Sequence, residues 1–240
     1  MYRAHPMLRR ADTDHPLLLR QARARSLVGL YAVTPDIVDT AILIARVGAA
    51  LAGGASAIQY RSKTMDVSLK HAQAEALARV IAARGGLFIV NDDAALAAAV
   101  DADGVHLGED DGSIAAAREI LGPERIIGIS CYDQFKLAEA AVAAGADYVA
   151  FGSFFASSVK PDARRADVAL LGRGAALKVP VVAIGGITAE NAGELKRAGA
   201  DAVAVISAVF DAPDVEAAAR AIADAWGKVQ FAMAPDELGQ

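Results

Sequence analysis

The 240-residue sequence predicts a (β/α)8 barrel, an α/β TIM-barrel fold in a single domain. Three observations lead there. Short β-rich segments alternate with alanine-rich helical ones from Leu27 onward. Eight such units follow one another in about 200 residues, the count of this barrel. Polar side chains collect where the strands end, which is where such barrels carry their active sites. A doubly wound open sheet would show a Gly-rich fingerprint after its first strand, and "LYAVTPD" has none.

In chain order the strands are "VGLYAVTP", "AIQYRS", "LFIVND", "GVHLG", "RIIGIS", "DYVAFG", "VPVVAIGG" and "AVAVIS". Between them lie segments such as "SLKHAQAEALARVIAARGG" and "TAENAGELKRAG", with helical apolar spacing and glycine at the C-terminal end. "AAGADYVAFGS" (143–153) and "RAGADAVAVIS" (197–207) nearly repeat, and "AGGASAIQYR" is a weaker third copy. A repeat of this length also occurs in solenoids. Strand–helix alternation without a fixed consensus fits a parallel sheet better.

Residues 1–25 read as an N-terminal extension, 26–229 as the barrel and 230–240 as a loose tail. The extension carries six arginines and one three-leucine block, with a short helix expected over Pro16 to Arg25. It lacks the apolar region and cleavage site of a secretory signal, and Asp12 and Asp14 argue against a transit peptide. The longest charge-free run, Val47 to Tyr60, is short of the ~20 residues that span a bilayer. No membrane partner is expected. A net charge of −5 leaves no electrostatic footprint for nucleic acid. A single cysteine, Cys131, suits a reducing, cytoplasmic location.

After the second strand, Gln59, Arg61 and Lys63 fall on one face by strand periodicity, with Tyr60 and Ser62 on the other. At a barrel mouth they form a donor-rich arc suited to an anion. The third strand ends in Asn91, Asp92 and Asp93, and the fourth is followed by Glu109, Asp110 and Asp111. Carboxylates converging from neighbouring strands repel one another unless a hard cation such as Mg²⁺ relieves them. Helix capping by Asp93 and Asp111 is the competing explanation, and it accounts for one acid per loop but not for several in both. Ser130 ends the fifth strand; Cys131 beside it reads as a packing residue.

The loop after the sixth strand, "GSFFASSVKPDARRA", is long for its place and carries Ser157, Ser158, Lys160, Arg164 and Arg165. Gly185 and Gly186 end the seventh strand, and Ile206 and Ser207 the eighth, where such barrels commonly hold phosphate. Of the histidines, only His106 lies on a strand, and it reads as a hydrogen-bonded barrel residue. No zinc spacing is present. The residues thus describe two anionic ligands, one needing Mg²⁺, and chemistry in which diphosphate leaves one of them.

"QYRSK", "IVNDD…ADGVHLGEDD", "GISCYD", "DYVAFGSFF…SSVKP", "VVAIGGIT" and "VAVIS", in this order, resemble the thiamine phosphate synthase family over residues 27 to 228. The resemblance implies the joining of 4-amino-2-methyl-5-pyrimidinylmethyl diphosphate to 4-methyl-5-(2-phosphooxyethyl)thiazole, with a dissociative release of diphosphate. It implies that Gln59 to Lys63 and Asn91 bind the pyrimidine diphosphate and that Asp92 and Asp111 hold Mg²⁺. Ser130 would contact the pyrimidine and Lys160 the diphosphate. Ser157 would approach the thiazole phosphate, with Gly186, Ile206 and Ser207 as its cradle. Arg61, Lys63, Ser130 and Lys160 would carry the chemistry. Three positions depart from the family pattern: Ser62 replaces an acid, and Ser157 and Val159 replace a Thr-x-Thr pair. The partners expected are two small phosphorylated substrates, with a homo-oligomer allowed for. A thiazole tautomerase on the same barrel, and a non-catalytic phospholigand-binding barrel, are the rival readings; neither turns over the two substrates.

Overall fold

The computed structural model of the chain describes residues 16–64, 66–156 and 165–227. Helix α1 (Pro16–Arg25) precedes β1 (Gly29–Val33). Next come α2 (Thr40–Ala52) and β2 (Ala55–Tyr60), α3 (Val67–Ala82) and β3 (Leu87–Asn91), α4 (Ala94–Ala99) and β4 (Gly104–Leu107). The chain continues through α5 (Ile114–Leu121) and β5 (Ile126–Tyr132), α6 (Phe135–Ala143) and β6 (Tyr148–Gly152), α7 (Ala169–Gly174) and β7 (Val181–Ile184). It ends with α8 (Ala192–Arg197), β8 (Ala202–Val205), α9 (Ser207–Phe210) and α10 (Val215–Gly227). The strands are parallel and close in chain order, β8 pairing with β1. This is the expected (β/α)8 barrel.

Strand alternation divides the apolar residues into two cores. Ile58, Tyr60, Phe88, Val105, Cys131 and Phe151 point outward and pack under the helices. Tyr31, Val33, Ala57, Ile89, Tyr148 and Ala150 point inward and fill the barrel. The helices start where short polar side chains accept their first free N–H groups: Asp39 for α2, Asp66 for α3, Asp93 for α4 and Ser113 for α5. No helix among the described residues is long and apolar enough to cross a membrane.

Helix α1 spans the expected Pro16–Arg25 and is bound to the barrel. Arg20 Nε lies 3.0 Å from Asp147, Arg23 Nε 3.2 Å from Asp103, and Arg23 also donates to the Glu124 carbonyl at 2.8 Å. Ala24 and Leu27 are buried with the inward-pointing core. Residues 16–25 therefore cover the floor, the end where the strands begin. Sequence alone missed this because single arginines on a short helix carry no sign of which carboxylates they will meet.

Candidate active site

The two acidic loops at the mouth divide their labour. Asp93 Oδ1 accepts the Leu96 N–H at 2.8 Å and caps α4. Its neighbour Asp92 sits in the left-handed region, with φ 65°. Few non-glycine residues adopt that conformation, and outliers of this kind gather at functional sites. The Asp92 N–H donates to the His106 carbonyl at 2.8 Å, which ties the turn to β4. In the second loop the capping expected of Asp111 falls instead to Ser113, whose Oγ accepts the Ala116 N–H at 3.1 Å. Helix α5 begins at Ile114, too far along the chain for Asp111 to reach. Asp111 Oδ2 accepts the Gly108 N–H at 2.7 Å.

Asp92 and Asp111 are thereby set against each other. Solvent reaches Asp92 on one side, but desolvation on the other, and then hydrogen bonding and repulsion from Asp111, push its carboxyl up to about 6; Arg61 and Asn91 oppose the rise. Among the described residues no three His, Cys, Asp or Glu side chains converge on one point. Two facing carboxylate oxygens suit a hard ion such as Mg²⁺, which typically takes one or two protein carboxylates and completes its shell with water and phosphate oxygens. A cleft of about 450 Å³ opens beside the pair, lined by Ser62, Lys70, Asn91, Asp92, Asp111 and Ser113. Lys70 escaped notice in the sequence because it lies in the first turn of α3, away from any strand-end motif.

The polar arc is built differently from its sequence pattern. β2 stops at Tyr60, so alternation places Gln59 and Tyr60 but not the residues after them. Gln59 points into the barrel, where its Nε2 donates to Tyr31 Oη at 2.8 Å. Tyr60 points outward and donates from its hydroxyl to Gln73 Oε1 of α3 at 2.9 Å, so its side chain is not at the mouth. Arg61 is held by its backbone: buried Thr34 accepts its N–H at 2.9 Å and donates to its carbonyl at 3.1 Å. The Lys63 N–H donates to Asp36 Oδ1 at 2.5 Å. The second strand's loop is thus pinned to the end of the first.

Ser130 points inward from β5, and His106 Nε2 lies 2.9 Å from its Oγ. His106 Nδ1 lies 3.0 Å from Tyr148 Oη, which in turn is 3.0 Å from Tyr31 Oη. His106 is thus the hydrogen-bonded barrel residue expected. Burial lowers its pKa to about 4, so the ring is neutral near pH 7. Neither tyrosine was singled out from sequence, although a phenol on the inward phase of a strand must find a partner. Cys131 faces the outer core, and burial pushes its thiol up to about 12, which leaves it inert.

Across the mouth, Gly185 and Gly186 have positive φ of 106° and 63°. A Cβ on Gly185 would meet Ser153 Oγ at 2.1 Å, and one on Gly186 would meet the Ala156 carbonyl at 2.1 Å. Both glycines are therefore required by the close approach of the loop after β6, quite apart from any ligand. Beside them β8 leads through Ile206 into the short helix α9, which starts at Ser207. Loops after the seventh and eighth strands followed by a short extra helix form the usual phosphate site of these barrels. Ser157, Ser158, Val159, Lys160 and Arg164 lie outside the described residues.

The family model for thiamine monophosphate synthase matches residues 30–209. The chain belongs to this family. It is 58% identical over 199 residues to the thiamine-phosphate synthase of Chromobacterium violaceum, a match covering 83% of this chain and 96% of that one. Identity to the thiamine-phosphate synthase of Thiobacillus denitrificans is 59% over 192 residues, covering 80% and 91%. Among solved structures, thiamine phosphate pyrophosphorylase from Pyrococcus furiosus superposes with a TM-score of 0.76 at 38% identity, covering 85% of this chain and 97% of that one. A 3-hexulose-6-phosphate synthase, at 19% identity and a TM-score of 0.61, shares the fold alone. Family membership makes the chain an enzyme, a transferase acting on small phosphorylated substrates.

Proposed function

We propose that the barrel condenses 4-amino-2-methyl-5-pyrimidinylmethyl diphosphate with 4-methyl-5-(2-phosphooxyethyl)thiazole, giving thiamine phosphate and diphosphate, and that it does so in the cytoplasm. The observation that carries this reading is the Asp92–Asp111 pair, turned face to face with Arg61 acting on it. Asp92 and Asp111 would hold Mg²⁺, which when bound neutralises charge on the departing diphosphate. Arg61, Lys63 and Lys160 add fixed positive charge to the same leaving group, and Asn91, Tyr60 and Ser62 border it with backbone or polar atoms. Gln59 and Ser130 grip the pyrimidine from the barrel interior.

Loss of diphosphate leaves a pyrimidinylmethyl cation, which the thiazole nitrogen captures. Gly186, Ile206 and Ser207, with Ser157 and Val159 of the preceding loop, would hold the thiazole phosphate so that this nitrogen faces the cation. Such a substitution needs no strong base and no protein nucleophile. That agrees with a buried Cys131 and a His106 whose two ring nitrogens are both engaged. A thiazole tautomerase would have no use for the facing carboxylates.

The test is to mix the purified chain with both substrates and Mg²⁺ and to look for thiamine phosphate by mass. Product that requires Mg²⁺ is expected. Absence of product refutes the reaction, and full activity in EDTA refutes the metal assignment.

A further inference from the structure

One direction of the four hydrogen bonds inside the barrel gives the proton of each buried tyrosine an acceptor. Gln59 Nε2 can only donate, so Tyr31 Oη accepts from it at 2.8 Å. The one proton of Tyr31 is then available to Tyr148 Oη, 3.0 Å away. The one proton of Tyr148 goes on to His106 Nδ1, also at 3.0 Å. A neutral ring whose Nδ1 accepts must carry its proton on Nε2, and that N–H donates to Ser130 Oγ at 2.9 Å. Ser130 is left with its own O–H to give away, and Gln59 with its amide oxygen to accept.

The barrel is shaped to hold this chain. Strand register places Gly128 between His106 on β4 and Tyr148 on β6. A Cβ there would lie 1.9 Å from Tyr148 Cζ, so only glycine lets the Tyr148 ring lie across β5. With that space open, the His106 and Tyr148 rings stack with centroids 5.5 Å apart. Tyr31 is flanked in register by Ala57 and Ala204, and meets Tyr148 edge to face at 6.3 Å. All three side chains are buried, at 1% exposure for Tyr31, 0% for Tyr148 and 8% for His106.

We infer that Tyr31, Tyr148 and His106 are positioning residues forming a one-way hydrogen-bond relay, which makes Ser130 a hydroxyl donor and Gln59 a carbonyl acceptor toward the substrate. An aminopyrimidine edge presents the complement: an amino N–H beside a ring nitrogen that accepts. An oxo analogue presents the reverse pattern on those atoms and would meet donor with donor. The relay therefore selects amino over oxo pyrimidines without touching either. This rests on the reaction proposed above for the identity of the ligand, but not for the direction of the chain.

The direction is measured by nitrogen NMR on the full chain labelled with ¹⁵N-histidine, with His106 assigned by its loss in His106→Gln. A neutral ring protonated on Nε2 is expected, and a ring protonated on Nδ1 overturns the inference. Tyr148→Phe keeps the ring over Gly128 and deletes the proton that Nδ1 accepts. His106 should then shift toward the Nδ1–H form. The KM for the pyrimidine diphosphate should rise about tenfold, the scale of one hydrogen bond, with the thiazole phosphate KM unchanged. In a Ser130→Ala background the same substitution should add nothing, because Tyr148 acts through Ser130. Additive losses, or equal rises in both KM values, would mark the tyrosine as merely structural and overturn the relay. If Tyr148→Phe does not fold, the tautomer of His106 in the wild-type chain decides the direction by itself. The histidine measurement needs no turnover, so a chain with the relay but no product would refute the reaction and leave the relay standing.

Discussion

Carboxylates stand at both ends of this barrel under opposite conditions. At the floor, Asp103, Asp147 and Asp201 immediately precede β4, β6 and β8, and each reaches sideways to the strand before. Asp103 Oδ2 accepts the Phe88 N–H at 2.9 Å, Asp147 Oδ2 the Ile127 N–H at 2.9 Å, and Asp201 Oδ2 the Val181 N–H at 2.8 Å. Asp147 also sits between Arg20 and Arg118, at 3.0 and 2.6 Å. Burial pushes Asp103 and Asp201 up, and the backbone N–H each accepts opposes it. At the mouth, Asp92 and Asp111 face each other, and Asp111 adds to the rise. Floor acids are consumed by the fold, whereas mouth acids keep an unmet demand for positive charge. That difference separates a carboxylate that stabilises from one that is available for chemistry.

The sharpest way to break the comparison is at Asp147. Asp147→Ala strands two arginine contacts and a buried N–H, and should cost about 3–5 kcal/mol of stability, the range for breaking a buried pair from one side. Urea unfolding measures this, and the folded fraction should keep its kcat. Deleting residues 1–24 should act in the same sense, lowering stability through the lost Arg20 and Arg23 contacts while kcat survives. A collapse of kcat in a folded truncation would mean that the floor reaches the active site.

At the mouth the consequence reverses. Asp92→Asn and Asp111→Asn should each lower kcat by about 10²–10³-fold, as for loss of one electrostatic stabiliser. The melting temperature should hold or rise, since each substitution relieves repulsion. Chelation should mimic both. Wild-type turnover with either substitution would remove the distinction between the two ends.

Between the ends lies His106, which folding holds neutral. Its folded pKa of about 4 is below the 6.5 of a free histidine, so the unfolded chain binds a proton first as pH falls. Stability from this group is complete above pH 6.5, declines as pH drops and bottoms out near 4, a loss of about 3 kcal/mol. Asp92 titrates in the opposite sense over part of this range, so the reading is the difference between wild type and His106→Gln. That difference should narrow by this amount between pH 7 and 4. A difference independent of pH would show that folding leaves the ring's proton affinity unchanged.

The smallest effect sharpens the contrast within a single loop. Asp93→Ala removes the cap on α4 and should cost about 1 kcal/mol of stability. It should leave kcat and the Mg²⁺ requirement unchanged, one residue away from a substitution that lowers kcat by about 10²–10³-fold. Loss of activity at Asp93 would show that both acids of the pair face the ligand.

By itself the sequence determined the barrel, because eight strand–helix units with polar strand ends have few other ways to bury their apolar faces. It also determined the separation of the acidic pair, the basic arc and the glycine turn onto particular strands, since strand order is chain order in a closed parallel barrel. Tertiary structure alone decided which acid in each loop caps a helix and which faces the other, because that choice depends on where α4 and α5 begin. It decided that Gln59 turns inward and Tyr60 outward, and that Arg61 is set by Thr34 rather than by strand periodicity. It joined Tyr31, Tyr148, His106 and Ser130, whose outermost members are 117 positions apart, and bound α1 to the floor. Periodicity is a local property that the chain carries in its order of residues. A partner across the barrel is fixed only when the sheet closes and the register sets which side chains share a layer.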